Sequence, residues 1–370
     1  MRKIKLLFLS LLVSILAFPQ ATGTVVSGNA VAYQSERHLF RNGNQLSLIT
    51  LDTEWPKVVD YSKVEELQRY LTSFLFGNEA TSFSSGWQTL AQASGEEIHD
   101  MPVEDDLEIH HKDIRLKILD YRIGKYISFQ AWTQERNATA VTSTKSRYFT
   151  FDLINKKILE QEDVFNKYRT WNDVDWRYVF EEALKQYMVI DPMETGELWL
   201  DAVPNEFYLK NDALYLTIQG STERYSYSVL TMEMLQPVLT KKFKKWLNAA
   251  PEIHADASLD DEHLLGPNDG IEPKPDSLAS FPGGNKRMTG FLADNLAYTS
   301  EEGEVLPDRV IVSFIVDEKG NLSDFTILSP VYAKINHCLI ATLRVMPKWK
   351  PAIRDGKAVR SRVVYPFMLK

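Results

Sequence analysis

The chain has 370 residues, of which 44% are hydrophobic and 25% charged, and a formal net charge of −8. That length suits two domains and a linker rather than one domain, and the composition excludes a chain disordered over most of its length. The acidic balance argues against nucleic acid as the main partner, because phosphate binding needs a basic surface.

The first residues set the compartment. Arg2, Lys3 and Lys5 precede an apolar run from Leu6 to Phe18, broken only by Ser10 and Ser14, and the small residues Ala21 and Gly23 follow. This is the three-part pattern of a secretory signal peptide, so residues 1–23 are read as a cleaved leader and the mature protein as periplasmic. The rival is an uncleaved inner-membrane anchor. An apolar helix of this length reaches about 20 Å, short of the roughly 30 Å hydrocarbon core. Cys338 is the only cysteine, so no internal disulfide is expected, and the thiol reads as a small apolar residue on a helix.

Residues 24–248 carry mixed helix and strand signals. Ser62 and Glu65 suit a capping box, with Val64, Leu67, Leu71 and Phe74 at helical spacing and Gly77 as the stop. Ile114–Leu119, Tyr126–Gln134 and Arg147–Leu153 read as strands. A helix is expected over Asp173–Tyr187, a hairpin around Asn211–Asp212, and a last helix carrying Leu239, Phe243 and Trp246. His99, His110 and His111 stand near Asp100, Glu108 and Asp113, the residue types of a metal-dependent hydrolase. Adjacent residues of a strand point to opposite faces, however, and no HExxH, GxSxG or P-loop pattern occurs. No metal, no cofactor and no catalytic residue is therefore assigned, and the protein is read as a non-enzyme.

Glu54-Trp55-Pro56-Lys57, Tyr126-Ile127-Ser128-Phe129 and Tyr148-Phe149-Thr150-Phe151-Asp152-Leu153 resemble a family of extracytoplasmic domains. Glu162-Asp163-Val164-Phe165 and Asn205-Glu206-Phe207-Tyr208-Leu209 add to the likeness. Members of that family form the outer part of a lysozyme-sensing anti-sigma factor and the non-catalytic part of some polysaccharide deacetylases. The Gly-Gly-Ala-His stretch usual in the family is absent near Asn137–Thr144. The resemblance implies that this region binds an envelope component, such as peptidoglycan or a lysozyme-like protein.

Residues 249–280 hold Pro251, Pro267, Pro273 and Pro275, eight acidic residues against the single Lys274, and no aromatic residue. Such a segment buries too little apolar surface to offset its ordering entropy and reads as an extended acidic linker.

Residues 281–370 open on Phe281-Pro282-Gly283-Gly284. Met288, Phe291, Leu292 and Leu296 predict a helix, Val310–Val316 a buried strand, Asp317–Asn321 a turn and Leu322–Leu328 a returning strand. Ile335, Leu339, Leu343 and Met346 predict a second helix, stopped by Pro347. In Val359–Leu369 the residues Val359, Ser361, Val363, Tyr365, Phe367 and Leu369 share one face, with Arg360 and Arg362 on the other. The overall class is α+β: a larger mixed domain, then a small antiparallel sheet with two helices on one face. The spaced pieces of this segment, with Met346-Pro347-Lys348-Trp349-Lys350-Pro351, Asp355-Gly356-Lys357-Ala358-Val359 and Tyr365-Pro366-Phe367, resemble the TonB C-terminal family. Tyr298-Thr299 and Lys334-Ile335-Asn336-His337 depart from its pattern.

The resemblance implies capture of an extended segment from an outer-membrane transporter or another envelope protein, by strand addition to an open sheet edge. Val359, Arg360, Ser361, Arg362, Val363, Val364 and Tyr365 are the candidate partner-binding residues, and Pro366 suits an edge strand. On this reading Val363→Pro should block capture while leaving the fold in place. An anchored energy transducer for outer-membrane transport is the alternative function. A soluble periplasmic adaptor is preferred, because the linker is too short for a periplasmic rod.

Overall fold

The computed structural model describes residues 29–368 apart from 101, 103–107, 138–139, 167–205, 212, 220–223, 231–238, 252, 254–264, 266–269, 297, 299–308 and 329–332. The chain begins with strands β1 (Ala30–Asn42), β2 (Gln45–Val59) and β3 (Ser62–Lys63), and helices α1 (Glu65–Phe76) and α2 (Phe83–Ser94). Strands β4 (Glu96–Ile98), β5 (Glu108–Arg122), β6 (Tyr126–Arg136), β7 (Val141–Asp152) and β8 (Lys157–Ile158) follow, then the short helix α3 (Gln161–Val164). Next come β9 (Phe207–Lys210), β10 (Ala213–Gln219), β11 (Arg224–Leu230), α4 (Lys241–Asn248) and α5 (Gly284–Asn295). The chain ends with β12 (Arg309–Val316), β13 (Leu322–Ile327), α6 (Ala333–Arg344), β14 (Ala352–Arg354), β15 (Lys357–Val359) and β16 (Ser361–Met368). The class is α+β, as the composition of signals predicts.

These elements form two compact units. The first takes its described residues from 29–36, 51–64 and 254–370, the second from 37–50 and 65–253. In the first unit the strands run β16-β12-β13-β1-β2, with antiparallel pairing from β16 through β1. Alternation along β12 sends Val310, Val312, Phe314 and Val316 to one face, where they pack with Met288 of α5 and Ile335, Leu339 and Leu343 of α6. The i, i+4, i+8 spacing in α6 keeps those three side chains on one stripe. Trp349 belongs to this core, its ring 5.1 Å from Phe314 and 6.0 Å from Phe281, edge-on to both. Each fully buried side chain of this size contributes about 1.5–3 kcal/mol.

The element order expected for 281–370 is present, but the boundaries expected for that domain are not those of the structure. Strand β1 pairs with β13 through Val31–Ile327, Ala32–Thr326 and Tyr33–Phe325, so the first unit draws two segments from the region read as a separate domain over 24–248. The segment read as a free linker is also engaged. Ser277 bridges Ile353 and Ser280 bridges Lys350, the Glu272 N–H donates to Arg360 O at 2.8 Å, and Asp276 accepts from the Asp355 N–H at 2.7 Å. The β14–β15 hairpin, turned on Asp355 and Gly356 with φ of 49° and 73°, supplies the partner for that segment. Pairings between segments far apart in sequence leave no local periodicity to read.

In the second unit β5, β6, β7 and β8 are hydrogen-bonded in that order. Ile127, Phe129 and Ala131 of β6 are buried, as are Leu67 and Leu71 of α1, and the Tyr70 ring lies 5.0 Å from Phe149. The β9–β10 hairpin forms around Asn211 as predicted, with Asn211 at φ 50°. The last helix is α4, whose N-cap Thr240 accepts from the Phe243 N–H and whose Phe243 and Trp246 are buried. The capping box expected at Ser62 is absent, because Ser62 lies in β3 and pairs with Val59. Residues 1–23 and the helix expected over Asp173–Tyr187 lie outside the described residues. Among the described residues no helix is long and apolar enough to cross a membrane.

Gly320 closes the β12–β13 turn at φ 82°, and a Cβ there would stand 2.0 Å from Trp349 O. The Trp349 N–H donates to Gly320 O at 2.8 Å, so neither backbone can retreat without losing that bond. Gly320→Ala is expected to cost roughly 3 kcal/mol, from strain at positive φ and a backbone clash. Gly284→Ala, at φ 76° with open space around the added Cβ, should cost only about 1 kcal/mol. Denaturant unfolding of the two variants checks the difference.

Candidate binding edge

Strand β16 ends the sheet of the first unit, and among the described residues β12 is the only strand paired with it. Its backbone polarity follows from two hydrogen bonds. Ile311 O accepts from the Leu328 N–H at 2.8 Å, so the Ile311 backbone is turned toward β13. The Ile311–Pro366 pair on its other side is therefore a non-hydrogen-bonded one. By alternation Ser361, Val363 and Tyr365 bond to β12, while Arg362, Val364 and Pro366 direct their backbone groups outward. The acceptance of the Glu272 N–H by Arg360 O gives the same parity independently. Pro366 thus places its missing donor on the open side, where it costs no ladder bond.

Of the residues assigned from sequence, Ser361 to Tyr365 lie in β16 and Arg360 immediately precedes it. Val359 does not join them, because it pairs with Ala352 in the β14–β15 hairpin. Val363 and Tyr365 pack against the helix-side core, and Val364 on the opposite face is 37% exposed. The Arg360 guanidinium holds Asp324 through an Nη2–Oδ2 contact of 3.1 Å, and Arg362 Nη1 donates to Leu265 O at 2.6 Å. Asp324 reaches this position from a left-handed backbone, φ 53°, at a register irregularity between β12 and β13, the geometry by which a bulge re-aims a side chain.

Lys57 of β2 completes the charged group. Burial pulls its ammonium from 10.5 down to about 8, and the Arg362 charge adds to the shift while Asp324 opposes it. Burial likewise holds the Arg362 guanidinium below its ordinary range. In the sequence Lys57 belongs to the Glu54-Trp55-Pro56-Lys57 piece assigned to the middle region. The structure gives that piece to the first unit, and only the fold brings Lys57 near Arg362.

A second polar cluster pins α6 to β1 and β2. The buried Glu54 carboxylate is ion-paired with His337. The His337 ring lies 6.3 Å from that of Tyr33, edge-on. Burial first, and the Glu54 charge second, push the Tyr33 hydroxyl well above its ordinary value, while Asn336 hydrogen-bonds to it. Two helical turns on from His337, Arg344 lies in the field of Asp52 and Glu36. Asn336 and His337 are among the residues that depart from the TonB pattern, and their partners Tyr33 and Glu54 stand on the two strands that the first unit draws from the amino-terminal segments.

The histidines weighed for metal lie in the second unit. His110 Nε2 stands 3.9 Å from Glu108, and His111 faces Arg136 across the β5–β6 pair. Burial first and Arg136 second lower the His111 value. Among the described residues no group of three His, Cys, Asp or Glu side chains is placed to hold a metal ion.

No protein-family model and no curated protein matches the chain. Two solved structures that do match are of the DUF3298 family. One is a protein from Bacteroides fragilis, with TM-score 0.44 and 13% identity, covering 60% of this chain and 100% of that one. The other is from Pseudomonas aeruginosa, with TM-score 0.40 and 12% identity, covering 57% and 94%. At these values the likeness carries no argument about function and assigns no residue a role.

The depressed Lys57 value has a stability consequence. The unfolded chain binds this proton below about pH 10.5 and the folded one only below about 8. Stability therefore rises with pH across that window, by up to about 3 kcal/mol. Lys57→Met should be more stable than the wild type at pH 7.5, and the gap should close by pH 10.5. Urea midpoints at both pH values check this, and a constant gap would refute it.

Proposed function

We propose that the first unit is a peptide-binding module that captures an extended segment of an envelope protein by strand addition to β16, and that the protein acts in the periplasm as an adaptor rather than an enzyme. The observation that carries this reading is the terminal position of β16, which among the described residues pairs with no strand but β12, with the Val364 backbone groups directed away from β12. A strand at the end of a sheet is where an incoming chain can add. Pro366 limits the margin at one end, so the added strand is short. Its side chains on the helix side would meet Val363 and Tyr365, which favours apolar residues there. Those on the other side would meet Arg362 and the Lys57–Asp324–Arg360 group, which favours acidic ones. The resemblance to the TonB family makes an outer-membrane transporter a natural source of that segment. The middle region would bind a second envelope component, peptidoglycan or a lysozyme-like protein.

The backbone parity selects the test. The Val363 N–H is a ladder donor to β12, so Val363→Pro would cost about 3 kcal/mol of fold stability and would confound loss of binding with loss of structure. Val364→Pro removes only an outward donor. A photoreactive residue at position 362, introduced in the intact envelope, should crosslink to a protein partner. Combining it with Val364→Pro should abolish the crosslink while the thermal midpoint moves by no more than about 3 °C. Undiminished crosslinking in the Val364→Pro background would exclude strand addition at this edge.

A further inference from the structure

In the second unit, one face of the β5–β6–β7 sheet is apolar and the other polar. Ile114, Leu116, Phe129 and Ala131 are buried on the first. On the second, Trp132 is flanked across the ladders by Arg115 of β5 and Ser146 of β7. Strand β9 crosses this face at one end, where the Leu209 N–H donates to Thr150 Oγ1 and the Asn211 N–H to Asp120 Oδ2, both at 2.8 Å. Beyond that crossing lies a floor of planar polar side chains. Gln130 Nε2 donates to the Tyr148 hydroxyl at 2.7 Å and Gln134 Nε2 to Thr144 Oγ1 at 3.2 Å, so β7 holds both amides in place. The Arg115 guanidinium carbon stands 4.6 Å from the centroid of the Trp132 ring. Arg115 is exposed and Trp132 half-buried, and among the described residues no carboxylate pairs with Arg115. Tyr148, Tyr208 and Tyr215 stack in series, with centroids 5.4 and 5.0 Å apart, and carry the aromatic surface from the floor onto the β9–β10 hairpin.

We propose that this floor binds a glycan strand bearing carboxylate groups, with Trp132 as the stacking surface, Gln130 and Gln134 as partners for hydroxyl groups, and Arg115 as the carboxylate anchor. The inference rests on the reading that the middle region binds an envelope component, and it selects peptidoglycan over a lysozyme-like protein. The side-chain chemistry makes that selection. A sugar hydroxyl both donates and accepts, and so does a carboxamide. The C–H face of a sugar ring is apolar and spreads over an aromatic ring. Contact with Trp132 restricts the guanidinium, whose fork of N–H donors matches a carboxylate in bidentate geometry. A protein partner needs an apolar centre, whereas the neighbours of Trp132 on this face are Asp113, Arg115, Gln130, Gln134 and Ser146. From Gln130 to Gln134 the floor runs about 13 Å along β6, the scale of a short oligosaccharide rather than of a globular partner. Side chains already held by cross-strand hydrogen bonds lose little rotamer freedom on binding.

The test is calorimetric titration of the full chain with two soluble probes. One is peptidoglycan glycan strands freed of their stem peptides by an amidase, which keep the lactyl carboxylate. The other is a chitin oligosaccharide, which has the same ring skeleton without the carboxylate. The wild type should bind both, the carboxylated strand about tenfold more tightly, as one charge-assisted contact provides. Arg115→Gln should remove that difference and leave the affinity for chitin unchanged. Trp132→Ala should weaken both probes by about tenfold. Gln134→Ala should also weaken both, and it keeps the test valid should Trp132→Ala fold poorly. Binding of neither probe, or affinities unchanged by Arg115→Gln or by Trp132→Ala, would overturn the assignment. Titration with lysozyme in parallel separates the two levels of the reading. Lysozyme binding without glycan binding would keep the middle region as an envelope-binding module and remove the glycan floor, and binding of neither would remove both.

Discussion

Three residue pairs, Val31–Ile327, Ala32–Thr326 and Tyr33–Phe325, join the start of the described chain to its last hundred residues, and the arrangement of the first unit follows from them. A sheet has two margins, and each must be paired, covered or left to a partner. β1 takes the β13 margin and adds Val31 and Tyr33 to the helix-side core. The opposite end is β16, which among the described residues pairs with no strand but β12. Without β1 the β13 margin would present open backbone groups beside the buried Ile327 and Thr326.

The pairing also brings charge where a sheet alone would have none. β2 accompanies β1 into the first unit and carries Glu54 to His337 and Lys57 toward Arg362. The two placements differ in kind. Glu54 is buried but compensated, by an ion pair beside a tyrosine and an asparagine, and it fixes α6 over β1 and β2. Lys57 is held where burial and a neighbouring guanidinium both oppose its charge, with Asp324 as counter-charge.

How much of this was legible in the sequence can be argued element by element. Strand β12 declared itself through a run of β-branched and aromatic residues, and α6 through Ile335, Leu339 and Leu343, because burial on one face imposes a local period. The Asn211 hairpin and the Gly77 stop were legible because turns and caps need particular residues at particular positions. The edge character of β16 was legible in part, from Pro366. Its parity was not, since nothing in Val363-Val364 says which amide faces β12. The hairpin of β1 and β2 carried a usable signal in Asn42-Gly43, although its place beside β13 did not.

The amino-acid sequence by itself determined the α+β class, the order of elements in the last ninety residues, and the alternation that puts Arg362 opposite Val363, because each depends on contacts within a few residues or on a strict period. Only the tertiary structure decided that the first unit is assembled from three separate segments, that Lys57 and Glu54 serve the carboxy-terminal sheet, and that the acidic stretch lies against β16. Those decisions rest on contacts between residues far apart in the sequence. Closing so long a loop costs entropy that grows only slowly with its length, so distant segments join wherever buried apolar area and backbone hydrogen bonds outweigh that cost, and no local pattern records where that happens.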